Sequence, residues 1–166
     1  MNKIVTIGVI GFTAERFYDA LQAAAVDTLV DIRRRRAVRG REYAFANSQR
    51  LQAGLAERGI HYLHRLDLAP TNAIREAQAA ADRAAGIARR QRVTLGPTFV
   101  ATFEREVLAN FDPQSLWDEL PPNCQTVALL CVEREPAACH RSLVAERLRA
   151  AFGVPVEHLL PPEQEP

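Results

Sequence analysis

Residues 126–141 read Thr126-Val127-Ala128-Leu129-Leu130-Cys131-Val132-Glu133-Arg134-Glu135-Pro136-Ala137-Ala138-Cys139-His140-Arg141. From Thr126 to Val132 the chain is a continuous apolar run, the pattern of a strand covered on both faces. Pro136 stands where a helix can begin. Apolar spacing resumes at Leu143, Val144, Leu148, Ala151 and Phe152, as on one face of a helix. Strand, short charged turn and helix form the repeating unit of a parallel α/β sheet. In open sheets of this kind the turns after the strand C-termini line the ligand crevice. Two cysteines, one histidine, two arginines and two glutamates crowd this single junction, so a site is expected here.

The same alternation extends outward. A first strand runs from Lys3 to Ile10, with Gly8 and Gly11 at its end allowing a tight turn or close backbone approach. Gly8-x-x-Gly11 is only half of a dinucleotide fingerprint and reads as a plain strand-to-helix turn. Thr13 caps a helix carrying Phe17, Ala20, Leu21 and Ala24 on one face. A second strand covers Thr28 to Ile32, and Arg33 to Ala46 follows as a long aperiodic loop. Asn47 or Ser48 then caps a helix with Leu51, Leu55 and Ala56 inward, stopped by Gly59.

Ile60 to His64 is the third strand, and Ala73 to Gln91 is helical by propensity. Gly96-Pro97 breaks that helix. Two further helices hold Phe99, Phe103 and Val107, then Leu116, Trp117 and Leu120. The helix after Cys131 ends at Gly153, and a last strand spans Val154 to Leu159. These elements predict one domain over residues 1–160: a three-layer αβα sandwich on a mostly parallel, roughly five-stranded Rossmann-like sheet. A Pro/Glu-rich tail, residues 161–166, is expected to be disordered. The topology puts the turns after Gly8, Ile32, His64 and Val132 on one sheet edge, so the Arg33–Arg41 loop and the Cys131–Arg141 turn should face one crevice.

Composition narrows the class. The chain has 166 residues, 48% hydrophobic and 25% charged, with a formal net charge of +1; this is ordinary for a globular protein and carries no polyelectrolyte signature. No apolar run is long enough to cross a bilayer, and the first apolar run lacks a small-residue cleavage site, so a cytoplasmic protein without a membrane partner is expected. Three cysteines without paired CxxC spacing suit free thiols better than a disulfide framework.

Candidate chemistry concentrates on the same edge. With a helix starting near Pro136, Cys139 falls in its first turn, where backbone N–H groups favour a thiolate beside His140 and Arg141; the alternative is a buried small hydrophobe. Cys131 lies near the strand end and reads as a core cysteine or as a redox partner of Cys139, and Cys124 as incidental. The Cys131, Cys139, His140 spacing fits no standard zinc motif, so no metal or other cofactor is expected. Glu133 is a general base or, preferred here, a salt-bridge partner of Arg141 or of a loop arginine; Asp31 invites the same two readings. Arg33, Arg34, Arg35, Arg36, Arg39 and Arg41 crowd one segment. Guanidinium groups there suit a phosphate, a nucleotide or a nucleic-acid backbone, with Tyr43 and Phe45 placed to stack on bases. Of the third-strand histidines, His64 is nearer the crevice and His61 is expected to be structural.

Leu130-Cys131-x-Glu133 with Cys139-His140-Arg141 resembles the domain of unknown function 488 family. Supporting segments are Thr6-Ile7-Gly8, Glu15-x-Phe17, Leu29-Val30-Asp31-Ile32-Arg33, Gly59-Ile60-x-Tyr62 and Val156-x-His158-Leu159. The resemblance implies a compact α/β fold and a site around Asp31, Arg33, Cys131, Glu133, Cys139, His140 and Arg141, and no assigned activity. Two departures stand out. Family members carry a polar pair, often histidine and serine, where Val9 and Ile10 follow Gly8 here, and many have Leu-Gly-Gly where this chain has Leu68-Ala69-Pro70. The leading expectation is a thiol- or carboxylate-dependent enzyme acting on a phosphorylated, nucleotide or nucleic-acid substrate. Its catalytic candidates are Cys131, Glu133, Cys139 and His140, and its binding candidates Asp31, Arg33, Arg36 and Arg141. The rivals are a non-catalytic nucleic-acid-binding module and a thiol redox sensor.

Overall fold

Alternating side chains divide the strands between two cores. In the computed structural model, which describes residues 1–162, β1 (Lys3–Ile7) sends Val5 and Ile7 to one face of the sheet and Ile4 to the other, as the twofold strand period requires. The remaining elements are α1 (Ala14–Ala23), β2 (Thr28–Asp31), α2 (Ser48–Ala56), β3 (His61–His64), α3 (Asn72–Ala84), α4 (Pro97–Glu106), α5 (Pro113–Glu119), β4 (Thr126–Leu130), α6 (His140–Phe152) and β5 (Val156–Leu159). The sheet is wholly parallel, in the order β3-β2-β4-β1-β5. β4 is central, and all five of its residues are buried.

Phe17 and Leu21 of α1 and Leu51 and Leu55 of α2 pack with Val5, Ile7, Leu29, Ala128 and Leu130 on one face. Ile74, Phe99, Phe103, Leu116, Val144 and Leu148, from α3 to α6, pack with Ile4, Val30, Val127 and Leu129 on the other. The fold is therefore the expected αβα sandwich. β1 and β4 are neighbours in register, Ile7 opposite Leu130. Yet α1 leaves β1 over one face and α6 leaves β4 over the other. This reversal is the topological switch point at which open α/β sheets place their ligand sites.

Three local readings are corrected. The helix after β4 does not begin at Pro136: residues Pro136–Ala138 form a single 3₁₀ turn, and Cys139, extended at φ −139° and ψ 141°, is the residue before helical His140. The helix read as Ala73–Gln91 ends at Ala84, where Ala85 and Gly86 (φ 68°) turn the chain, and Arg89–Gln91 is a separate short turn. The loop after β2 condenses into a 3₁₀ segment at Arg41–Ala46. Asn47 stands before α2 as expected, but its Oδ1 accepts from Val38 N at 3.0 Å and so ties down the arginine loop. Of the tail expected at 161–166, Pro161 is buried against the Gly11 turn, and residues 163–166 lie outside the described residues.

Candidate functional site

The turn after β4 is held against β1 by backbone alone at its start. Cys131 N donates to Ile7 O at 3.1 Å, and Val132 O accepts from Val9 N and Ile10 N, each at 3.0 Å. A Cβ on Gly8 would fall on the Glu133 carbonyl, so that position demands glycine for close approach rather than for its dihedral freedom. Arg141, in the first turn of α6, is fully buried. Its Nε donates to Thr6 Oγ1 at 3.3 Å, its Nη2 to Arg134 O at 2.8 Å and its Nη1 to Glu133 O. A guanidinium fork thus clasps the charged turn to β1, and the tightly turned backbone carbonyls find their donors there.

The clasp brings two sulfurs to one imidazole. Cys131 Sγ lies 3.6 Å and Cys139 Sγ 3.9 Å from His140 Nδ1, and the three ligand atoms all fall within 4.8 Å of one another. Cys131 is 4%, Cys139 1% and His140 6% exposed, so the group sits at the floor of the edge. His140 Nε2 is 3.0 Å from the carbonyl of Ile32, at the end of β2. A carbonyl only accepts, so Nε2 carries a hydrogen and Nδ1 faces the sulfurs. Phe103 packs edge-on against the ring at 5.4 Å.

Burial opposes charge on Cys139, but hydrogen bonds from Cys131 and His140 overcome it, and its thiol is held well below the ordinary range. Burial pushes the Cys131 thiol well up, and the neighbouring Cys139 adds to this. For His140 burial is likewise opposed, here by the hydrogen bond to Cys139, and the ring is raised above its ordinary value. The hydrogen bonds within the group therefore favour negative charge on Cys139 over Cys131.

Glu133 approaches from the side. Its Oε2 is 3.5 Å from Cys131 Sγ. Its Oε1 accepts from Arg89 Nη2 at 2.7 Å and lies 3.5 Å from Arg92 Nη2. Burial raises this carboxyl, but the Arg89 ion pair and its hydrogen bond outweigh burial and bring it down to about 2. Glu133 does form salt bridges, though to Arg89 and Arg92 rather than to Arg141 or the loop arginines. Arg92 also binds Asp82 at 2.7 Å and Ala138 O at 3.1 Å, and Leu95 N donates to Ala137 O at 2.9 Å. Residues 86–96 therefore form a strap across the edge. Its Arg90 reaches Arg39 O at 3.0 Å on the far side. Arg92 Nε is the one buried side-chain nitrogen or oxygen without a partner among the described residues.

Asp31 and Arg33 make a buried fork of their own. Arg33 Nε and Nη2 each donate to the carboxylate at 2.8 Å, and Nη1 donates to Ala46 O at 2.9 Å. Tyr62 OH donates to Asp31 Oδ2 at 2.9 Å, Arg36 reaches that hydroxyl at 3.4 Å, and His64 Nε2 lies 3.0 Å from Arg33 O. Arg33 is 2% exposed, so its guanidinium braces the end of β2 from within the fold, as Arg141 braces the turn after β4. His61, expected to be structural, is exposed, while His64 is partly buried.

Positive charge at the rim has a different source. Arg75 of α3 is pulled below the usual arginine range by burial and then by the guanidinium groups of Arg89, Arg35 and Arg34, with Glu133 the opposing carboxylate. Arg34 is anchored through Nε to Pro70 O at 2.6 Å, and Arg35 is exposed. The structure thus gathers Cys131, Glu133, Cys139 and His140 at one point and buries Asp31, Arg33 and Arg141 as supports. Sequence reasoning missed Arg75 and Arg89 because they fell within what read as one helix over Ala73–Gln91, and Arg92 because it lies just beyond that stretch. Gly86 was the available signal that this helix stops early.

The profile of a protein family described as domain of unknown function DUF488 matches residues 13–148. The chain belongs to this family. The match takes in β2, β3, β4 and the Cys131–Arg141 turn and leaves β1 and β5 outside. No curated protein and no solved structure matches the chain. No described helix is long and apolar enough to cross a membrane. Of the two positions where the family resemblance suggested altered loops, Val9 is fully buried in the α1-side core and Ala69 is 2% exposed. Both apolar residues serve packing here.

Proposed function

We propose that the protein is an enzyme acting on an anionic, phosphate-bearing substrate at the carboxyl edge of the sheet. The observation that carries this reading is the convergence of Cys131, Cys139 and His140 from two elements onto one point, beside a rim of crowded guanidinium groups. Arg34, Arg35 and Arg75 draw and hold the anion, because bidentate guanidinium–phosphate pairs are among the stronger charge-assisted contacts. The Cys/His group with Glu133 is the reacting centre. Arg33, Asp31 and Arg141 hold it in place. The guanidinium groups of Arg89, Arg35 and Arg34 oppose the charge on Arg75, and a bound anion relieves that opposition.

Calorimetric titration with pyrophosphate at low salt tests the binding half. R35A and R75A should each weaken it about tenfold, the worth of one charge-assisted hydrogen bond. A turnover screen over phosphomonoesters and nucleotides tests the catalytic half, with C139S losing turnover while pyrophosphate still binds. Absence of pyrophosphate binding, or binding indifferent to both arginines, would contradict the reading. Tight binding of oligonucleotides with no turnover of any phosphate compound would favour a non-catalytic nucleic-acid module instead.

A further inference from the structure

The Cys131–Cys139–His140 group has the dimensions of a metal site. With zinc–sulfur and zinc–nitrogen bonds of about 2.3 and 2.0–2.1 Å at the tetrahedral angle, ligand sulfur and nitrogen lie about 3.6 Å apart and two sulfurs about 3.8 Å. The observed sulfur–nitrogen separations are 3.6 and 3.9 Å, and all three ligand atoms lie within 4.8 Å. Closing the group around an ion therefore asks for shifts of no more than about 1 Å.

A second observation is independent of that spacing. His140 Nε2 donates its hydrogen to Ile32 O at 3.0 Å, the arrangement by which proteins fix the tautomer and aim the free nitrogen of a metal-binding histidine. The buried Asp31–Arg33 fork holds the residues on either side of that carbonyl. Two sulfurs and one imidazole are a soft donor set suited to zinc-class ions and not to magnesium or calcium. Glu133 Oε2 lies 3.5 Å from Cys131 Sγ, and its other oxygen is held by Arg89 and Arg92.

We propose that Cys131, Cys139 and His140 are three ligands of a divalent, zinc-class metal ion, with Glu133 beside an open fourth position. Three protein ligands with one position free is the pattern of catalytic rather than structural zinc sites. The proposal deepens the reading of this group as a reacting centre but does not depend on the arginine rim. Binding requires both sulfurs as thiolates and His140 Nδ1 without a hydrogen, so every proton those three atoms carry is released to solvent.

The test is titration of chelator-treated, full-length protein with cobalt(II) chloride, followed in the near-ultraviolet and visible, and with zinc chloride, followed by native mass spectrometry. One ion per chain should bind, giving the intense visible bands of tetrahedral cobalt and a sulfur-to-cobalt charge-transfer band. C131S, C139S and H140Q should each weaken zinc binding by more than the about 10–100-fold that loss of an outer-shell partner costs. E133Q should still bind and should keep the tetrahedral spectrum, and C124S should change neither. If a ligand variant fails to fold, cysteine-resolved alkylation of the unaltered protein decides: zinc should slow modification of Cys131 and Cys139 and leave Cys124 unaffected. A folded protein with no charge-transfer band, or one whose band survives in C131S and C139S, overturns the proposal. Pyrophosphate affinity measured on the same metal-free sample separates this outcome from failure of the anion site.

Discussion

At the scale of single residues, the buried arginines explain the site more than the exposed ones do. Arg33 and Arg141 are 2% and 0% exposed, and each ties a loop to a strand. Removing one partner of a buried pair leaves an uncompensated charge, which costs about 3–5 kcal/mol. D31N should therefore destabilise the protein by about that amount in urea denaturation; a loss below about 1 kcal/mol would mean that Arg33 is satisfied without the carboxylate. R141K should cost about 2–4 kcal/mol, because an ammonium cannot serve Thr6, Glu133 and Arg134 from one rigid fork. Near-wild-type stability of R141K would show that the clasp is dispensable. Neither role was legible in the sequence. Arg33 opens a run of arginines whose members look alike on paper, and only the carboxylate two residues before it and the carbonyl of Ala46 single it out. Arg36, from the same run, reaches the hydroxyl of Tyr62.

At the scale of elements, the β4-to-α6 connection was legible in its type and not in its detail. The apolar run and the helical spacing after it located the strand, turn and helix. The 3₁₀ turn at Pro136–Ala138 moves the helix start to His140. Cys139 thus lies just before the helix, and its side chain makes no cap hydrogen bond, so its electrostatics come from Cys131 and His140 rather than from the helix end. The end of α3 is the other lesson. Alanine-rich propensity carried the expected helix to Gln91, but propensity is a weak prior against a glycine able to adopt positive φ. Gly86 at φ 68° releases the strap that bears Arg89 and Arg92. G86A should cost about 1 kcal/mol, the penalty of a left-handed non-glycine residue, and should speed amide exchange across residues 86–96. Unchanged exchange there would mean that the strap is held by its side-chain contacts alone.

At the scale of the whole molecule, the sheet was the most legible feature, because a two-sided parallel sheet writes itself as short apolar runs separated by helical periods. Strand order was not legible. β4 pairs with both β1 and β2, contacts about 100 residues distant in sequence that no local pattern announces. That central position makes β4 the common support of both cores. L129A should cost about 2–5 kcal/mol, the range for a fully buried leucine, with an unchanged denaturant slope if unfolding stays cooperative. The same strand order draws the ends of β1, β2 and β4 together, so that Cys131, the Ile32 carbonyl and the Glu133 turn meet at one place.

We propose that the Cys/His group at this meeting point and the arginine rim are one site. Cysteine-resolved alkylation of the native, chelator-treated protein, read by mass spectrometry with and without saturating pyrophosphate, tests it most directly. The account predicts that pyrophosphate slows modification of Cys139 and Cys131 and leaves Cys124 unchanged. If pyrophosphate binds, and its binding depends on Arg35 and Arg75, while the Cys139 and Cys131 rates do not move, the rim and the Cys/His group are separate features and the single-site account is wrong.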